Sequence, residues 1–368
     1  MTDTLRAAVS GLRHGKAHCD AYRANPDCEL VGLFDPNTDR VAERQAENPG
    51  TVAYERFAEM LAGARPDIVS VSSPEFAHAE QAVAALEAGC HVLLEKAMAC
   101  SHAELEAILD AVQRTGRLLY VGQEVRLTPA FLAARRLLRE GTLGTVYQAW
   151  SCYVHNCEHL HRDGQWRGDP QRGVDPMLGG GCHPVDLLRC LLGEVREVFA
   201  CQTHENRQVC AFPDATTAIL RFQSGAVGVV EVTIATRRPY LLGLRLNGTA
   251  GYYRGDNSGA DYVTAFAEPL SHAKELTPHP TASASHDIAR QVANLVDAIR
   301  GRAGLIVDAW EGANSTSVCL AAIESAQTGK PVTPRFYRRP PSMPEPIDPL
   351  DFTSASGEPP TPPRRRRG

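Results

Sequence analysis

The sequence predicts a two-part α/β protein, a doubly wound parallel sheet followed by an α/β domain on a large, mainly antiparallel open sheet. Two patterns and the length predict it. Residues 1–125 alternate short apolar runs with amphipathic stretches, the signature of repeated β-α units. Beyond residue 126, strand-like runs follow one another with only turns between them, which favours antiparallel pairing. The 368 residues exceed what one core usually organises.

In the first part the strand candidates are residues 5–10, 29–34, 67–72, 91–94 and 118–122. Helical stretches separate them. In residues 74–89, Phe76, Ala79, Val83 and Leu86 recur at helical spacing, with Pro74 suited to the entry and Gly89 to the stop. The second part, residues 126–330, opens with a helix at 129–140 and a strand at 145–155, then an irregular polar stretch to Gly181. A helix at 183–192 precedes strands near 197–203, 217–222, 226–235 and 241–247, divided by turns such as Ser224-Gly225 and Asn247-Gly248. Two helices close it, one with the apolar face Ile288, Val292, Leu295, Val296 and Ile299, the other over 310–327. In residues 331–368, eleven of the 25 prolines crowd a segment poor in aliphatic residues, so a disordered tail is expected, its terminal arginines reading as solvated charge.

With 43% apolar residues, 22% charged residues and a net charge of -5, the composition is that of an ordinary globular protein. It supplies no basic field for nucleic acid, and no apolar run approaches the ~18 residues of a membrane span. Met1 to Arg6 hold no basic segment leading into an apolar stretch, so the expected location is the cytoplasm. Eleven dispersed cysteines without a Cys-x-x-Cys pair are expected as thiols in a reducing compartment.

Between the first strand and first helix lies Ser10-Gly11-Leu12-Arg13-His14-Gly15. In a Rossmann domain this turn offers backbone N–H groups to a dinucleotide pyrophosphate. With Gly15 as the third glycine of G-x-G-x-x-G, the first two slots hold Ser10 and Leu12, and Gly11 is displaced by one. Alone, the turn reads equally well as a β-α connection without a ligand. Asp35 shifts the reading. It ends the second strand twenty residues after Gly15, where a carboxylate accepts from ribose hydroxyls and repels a 2'-phosphate. NAD rather than NADP is the expected cofactor, the plainer role for Asp35 being a turn residue before Pro36.

His91-Val92-Leu93-Leu94-Glu95-Lys96-Ala97 sets two opposite charges at the carboxyl edge of the sheet, where open α/β sheets bind ligands. Lys96 there is placed to hydrogen-bond a substrate hydroxyl, and partial desolvation is expected to lower its pKa and help it stabilise a developing alkoxide. A surface ion pair at a strand end is the other reading.

These segments resemble the Gfo/Idh/MocA family of sugar and cyclitol oxidoreductases. Val69-Ser70-Val71-Ser72-Ser73-Pro74 followed by His78 resembles its strand-Thr-Pro-x-x-x-His element, and Glu95-Lys96-Ala97 resembles its Glu-Lys-Pro signature with alanine for proline. Gln123 and Arg126 match a strand end that contributes cofactor and substrate contacts. The resemblance runs in order through residues 4–330. It implies NAD held by Gly11, Leu12, Arg13, His14, Gly15, Asp35, Ser72, Ser73, Pro74, His78, Glu95, Lys96 and Gln123, and Lys96 and Arg126 at the substrate. It also implies a homo-oligomer, dimer or tetramer.

Gly179-Gly180-Gly181-Cys182-His183-Pro184-Val185-Asp186 resembles the family's second signature, which delivers a histidine to the substrate at a helix start. His183 is the expected acid/base, with an unperturbed pKa of ~6.5. Many family dehydrogenases carry an aspartate four residues earlier, where this chain has Gly179. Asp186, one turn on, is expected either to orient His183 in catalysis or to bridge within its helix, and Asp175 is a further candidate for the missing carboxylate.

Tyr153, His155, Cys157, His159 and His161 alternate along the chain, so an extended backbone would set them on one face. As a polar wall for a sugar, followed by Trp166-Arg167, the stretch offers Tyr153, His155, Trp166 and Arg167 as substrate contacts beside His183. Metal ligation and an exposed polar loop are the other readings, and no metal is expected. The expected reaction is NAD-dependent oxidation of a secondary alcohol on a sugar, cyclitol or related polyol, or its reverse, with Lys96 on the oxygen and His183 exchanging the proton. The same parts permit redox-neutral cleavage of a glycoside, and Gly179 with the altered turn permits a non-catalytic nucleotide-binding regulatory protein.

Overall fold

The computed structural model describes residues 4–161, 166–207, 210–257, 262–265, 277–278 and 287–353. Its first sheet holds β1 (Leu5–Ser10), β2 (Cys28–Phe34), β3 (Val52–Tyr54), β4 (Ile68–Val71), β5 (His91–Leu94) and β6 (Leu119–Val121) in the order β3-β2-β1-β4-β5-β6. All neighbours are parallel. Helices α1 (Gly15–Ala24), α2 (Thr38–Glu47), α3 (Phe57–Ala64), α4 (His78–Glu87) and α5 (His102–Thr115) make the crossovers. The central strands are buried on both faces, as Val9, Ile68, Val69, Val92 and Leu93 show, which is why they are short apolar runs without alternation. Where the strand order reverses between β1 and β4, a crevice opens at the carboxyl ends.

The chain then forms α6 (Pro129–Arg139), β7 (Val146–Val154), a short α7 (Glu158–His161), α8 (Pro176–Gly179) and α9 (Cys182–Leu192). The strands β8 (Val195–Thr203), β9 (Ala215–Phe222), β10 (Val227–Thr233), β11 (Leu241–Gly248), β12 (Gly251–Asp256), β13 (Tyr262–Ala265) and β14 (Thr277–Pro278) follow. With β7 they build an eight-stranded sheet, β14-β13-β12-β11-β7-β10-β9-β8. It is antiparallel as expected, except for the parallel pair β7–β10, which the β8–β9–β10 meander creates by returning beside β7. One face alternates buried residues, Val198, Ala200, Ala218, Leu220, Val230 and Val232, beneath α9 and α11 (Ala309–Thr328).

Two expectations are corrected. The helix α10 (Ile288–Ile299), assigned by order to the second part, packs on α1 and adds Ile288, Val292, Leu295 and Val296 to the core of the parallel sheet. Val121 N donates to Val307 O at 3.1 Å, extending that attachment to the next segment. Periodicity shows which face of a helix is apolar, but not which sheet will cover it. The second correction concerns residues 331–353, which are an ordered strap rather than a disordered tail. Val332 and Val198 exchange backbone hydrogen bonds of 2.8 and 2.9 Å, Ile347 N donates to Leu305 O at 2.9 Å, and Phe352 is buried in the first core. Asn314 holds Tyr337 by both its backbone groups. Proline removes N–H donors, so such a strap is held by a few bonds and well-placed side chains that bulk composition does not register. The arginine run lies outside the described residues. Among the described residues, no helix is long and apolar enough to cross a membrane.

Candidate active site

The turn after β1 is shaped by its neighbours. Gly11 has φ +83°, and a Cβ there would stand 2.4 Å from Ser72 O and Ser73 N, so only glycine fits. Ser72 Oγ donates to the carbonyls of Ser10 and Gly11 at 2.9 and 2.8 Å. Asp35 accepts from Leu12 N at 2.7 Å and Asn37 N at 2.9 Å, and pairs with Arg40 Nη1 at 3.0 Å. The displaced glycine therefore still forms the tight turn. His14 N-caps α1 without a side-chain hydrogen bond, and Gly15 N and Ala17 N donate back to the carbonyls of Gly11 and His14 at 3.1 Å, closing the turn. Ser73 Oγ and Gln123 Oε1, both expected at the cofactor, are buried without a hydrogen-bond partner among the described residues. A cradle closed to any Cβ, a carboxylate at the end of β2 and two orphaned polar atoms fit a dinucleotide.

Two of the expected cofactor contacts have other tasks. His78 is buried with its ring nitrogens on Ala97 O at 2.8 Å and Ser73 O at 2.9 Å, bracing the loop after β5. There the Lys96–Ala97 peptide is cis. Glu95 is buried beneath the turn, 3.2 Å from His18 Nε2 and 3.4 Å from His14 Nε2. Burial alone would raise its pKa, but these two imidazoles hold the carboxyl well below the usual range, and Glu95 in turn raises His14.

Lys96 Nζ donates to Gly179 O, 3.1 Å away on the second half. The expected lowering of its pKa is corrected. Burial does pull it down, but Cys182, Glu124, Glu95 and Glu75 outweigh burial and raise it above the ordinary lysine value. The Cys182 thiol is itself pushed up to about 12 by burial and is neutral at pH 7, so there the carboxylates carry the effect. Lys96 is thus a permanently charged hydrogen-bond donor, suited to an oxygen that gains negative charge.

His183 is buried at the head of α9, its Nε2 3.6 Å from Glu124 Oε1, with the Tyr153 ring stacked at 6.0 Å. Glu124 was not singled out in the sequence, although it sits between the chosen Gln123 and Arg126 at the end of β6. The signal was an acidic residue at a parallel strand's carboxyl edge. Asp186 is corrected as the catalytic carboxylate: fully buried, it accepts both Nε and Nη2 of Arg126 at 2.7 Å and Ser315 Oγ at 2.6 Å. Arg126 is corrected with it, because its fork is spent on Asp186 and, at 2.8 Å, on Glu311 rather than on a substrate. Asp175 caps α8 through Met177 N and accepts from Gln202 Nε2. Helical spacing showed that Asp186 lies near His183, but the β6 exit places a bidentate arginine nearer still.

The histidine-rich stretch is divided. The β7 strand ends at Val154 and α7 begins at Glu158, so the alternation stops halfway. Tyr153 OH lies 3.0 Å from His155 Nδ1, and Tyr240, not foreseen, has its ring tilted 42° against that of His155 at 4.8 Å. Cys157 instead packs inward with Cys210 and Ile234, and the His161 side chain lies outside the described residues. Trp166 meets Phe76 edge-on at 5.9 Å, and Arg167 lies over Trp166 at 4.1 Å while reaching Glu75 at 3.3 Å.

Turn, ammonium and imidazole thus come from both halves to the carboxyl edge of one parallel sheet, the arrangement of an NAD-dependent oxidoreductase. Residues 5–123 match the oxidoreductase family with its NAD-binding Rossmann fold, and residues 131–254 match the GFO/IDH/MocA C-terminal domain. The chain belongs to the Gfo/Idh/MocA family. It is 25% identical to D-glucoside 3-dehydrogenase of Escherichia coli (strain K12) over 346 residues, covering 88% of this chain and 96% of that one. It is 28% identical to levoglucosan dehydrogenase of Pseudarthrobacter phenanthrenivorans over 285 residues, covering 66% and 71% respectively. Among solved structures, a levoglucosan dehydrogenase in complex with NADH and L-sorbose shares the fold with a TM-score of 0.82 at 21% identity, over 91% of this chain and 100% of that one.

Proposed function

We propose that the protein oxidises a secondary alcohol of a sugar, cyclitol or related polyol, or reduces the matching ketone, using NAD in preference to NADP. The observation that carries this is Lys96, a desolvated ammonium kept charged by carboxylates and held at Gly179 O beside the dinucleotide cradle. NAD bound in that cradle supplies the hydride acceptor. Lys96 Nζ donates to the substrate oxygen and offsets the charge that develops there, while the His183 imidazole takes the hydroxyl proton. Glu124 Oε1 lies 3.6 Å from the Nε2 of that ring. Tyr153, His155 and Tyr240 line the opposing wall, where aromatic faces with polar tips suit a polyhydroxylated ring. Asp35 favours a free ribose hydroxyl over a 2'-phosphate, and it already occupies the Arg40 guanidinium that a phosphate would need. The relatives named for glucosides, levoglucosan and inositol support this substrate class. Eleven free thiols suit a cytoplasmic setting.

The test is absorbance of NADH while a panel of sugars and cyclitols is offered with NAD or NADP. Substrate-dependent NADH with NAD at least about tenfold favoured is the expected result. Release of a sugar without net NADH would replace the reading by redox-neutral cleavage, and binding of NAD without either by a regulatory role.

A homo-oligomer formed through the outer face of the second sheet belongs to the same proposal. Phe199, Ile219, Val229, Trp150 and Arg245 stand opposite one another in register on successive strands. Phe199 is 38% and Ile219 44% exposed. Phe199, Ile219, Val229 and Trp150 make an apolar row, with Arg245 over Trp150 at its end, and such a row on an open face is a self-association surface. Ile219→Asp is expected to reduce the mass measured by light scattering to that of one chain, and an unchanged oligomer would place the interface elsewhere.

A further inference from the structure

Glu75 is one of the carboxylates around Lys96, and its placement distinguishes it from the others. It opens the one-turn 3-10 helix Glu75–Ala77 after Pro74, and it is only 3% exposed. Its carboxylate faces the second half of the molecule, where Arg167 Nη2 lies 3.3 Å from Oε1. The same oxygen borders the space over Gly179. A Cβ built on Gly179 would stand 3.6 Å from Val174 Cγ2 and 3.9 Å from Glu75 Oε1, ordinary contact distances with nothing closer. Gly179 also gives its carbonyl to Lys96 Nζ at 3.1 Å. The glycine therefore stands between a buried carboxylate and a buried ammonium that belong to different strand ends, and it puts no side chain between them.

We propose that Glu75 is the positioning carboxylate of the Lys96 site, reaching from the first half into the space that Gly179 leaves open, with Arg167 fixing its direction. Glu75 adds its negative charge to those around Lys96 and helps aim the ammonium at the substrate oxygen, and a carboxylate on residue 179 would do the same from the opposite wall. The inference rests on the reading of Lys96 as donor to that oxygen. The other groups that face Lys96 are Glu95 beside it after β5, Glu124 beyond β6 and Cys182 on α9. Cys157 beyond β7, Tyr240 before β11 and His14 at the head of α1 complete the surroundings. Glu95 is shared with His14 and His18, and Glu124 with His183, so their charge is divided among other partners. Each of these groups stays in place when Glu75 alone is neutralised.

Lysine occurs at only four positions, 16, 96, 274 and 330, so carbon-13 labelling at lysine Cε gives a spectrum in which Lys96→Arg identifies the Lys96 signal. In the full-length protein, Lys96 is expected to titrate above the ordinary lysine range. Glu75→Gln is expected to bring its midpoint down by about one pH unit or more. The NAD dissociation constant should stay within about threefold while kcat falls about tenfold or more. Gly179→Asp added to Glu75→Gln is expected to restore both the midpoint and most of the turnover. Should Glu75→Gln not fold, Glu75→Asp, which draws the charge back by one methylene, is expected to move the midpoint in the same direction by less. An unmoved midpoint in the folded variant overturns the proposal, as does a loss of turnover that only mirrors lost NAD binding. A midpoint that falls in a protein oxidising no polyol upholds the role of Glu75 and overturns the dehydrogenase reading instead.

Discussion

Lys96→Ala is expected to lower kcat by about 10²–10⁴-fold while the NAD dissociation constant changes by less than about threefold. The ammonium is a donor whose pKa is raised by surrounding carboxylates and whose position is fixed by a carbonyl of the other half, Gly179 O at 3.1 Å. Removing it takes a preorganised donor from the oxygen at which charge develops, and that loss falls on the transition state rather than on ground-state binding. It leaves the cradle untouched, since Gly11 is shaped by Ser72 and Ser73, and Leu12 by Asp35. Steady-state kinetics with an identified polyol, set beside a fluorescence titration with NAD, separates the two. A parallel fall in cofactor affinity would make Lys96 a cofactor anchor, and turnover close to that of the unaltered protein would remove it from the chemistry.

Arg126→Met is the second large effect, on stability rather than on rate. The guanidinium lies between buried Asp186 and partly exposed Glu311, with Ser315 as the remaining partner of Asp186. Taking away one member of such a set leaves a buried charge uncompensated, which costs about 3–5 kcal/mol. The expected readout is a denaturation midpoint lowered accordingly, with much of the loss recovered in Arg126→Met/Asp186→Leu, where the stranded charge is gone as well. A normal midpoint with a raised KM would return Arg126 to the substrate. The same network has a pH signature. Burial would raise the Glu311 pKa, but Arg126 and Arg189 hold it down at about 2 against an unperturbed 4.5. Its contribution is therefore complete above pH 4.5 and is lost as pH falls through about 2, so acid should close the gap between the unaltered protein and Arg126→Met.

The two carboxylate assignments at 186 and 75 show where reading along the chain stops. Asp186 was legible as a neighbour of His183 because helical geometry relates residues three apart, and that proximity is real. Which charged group each of them faces depends on Arg126, Glu124 and Ser315, which reach α9 from β6 and α11 and are distant in sequence. Glu75 and Tyr240 carried no local mark at all. Glu75 acquires its place from the meeting of its helix with Gly179 and Arg167, segments about a hundred residues away. The cysteine–histidine alternation failed for a different reason. Its period-2 argument holds only while the strand lasts, and the hydrogen-bonded ladder with β10 and β11 ends at Val154.

Local grammar established a good deal about this protein. Apolar runs spaced by amphipathic stretches specified the parallel sheet and the series of strands after it, since strand and helix periodicities are properties of neighbouring residues. The glycine turn, Asp35 at the end of β2, Lys96 after β5 and His183 at the head of α9 were legible because each stands at a fixed offset from an element boundary. The tertiary structure alone decided how these groups are paired. It joined α10 to the first core, drew the proline-rich strap across both halves, gave Asp186 to Arg126, and raised the Lys96 pKa where burial alone would have lowered it. Pairing of this kind depends on which distant surfaces meet and on the balance of burial against charge there, and that balance exists only once the chain is folded.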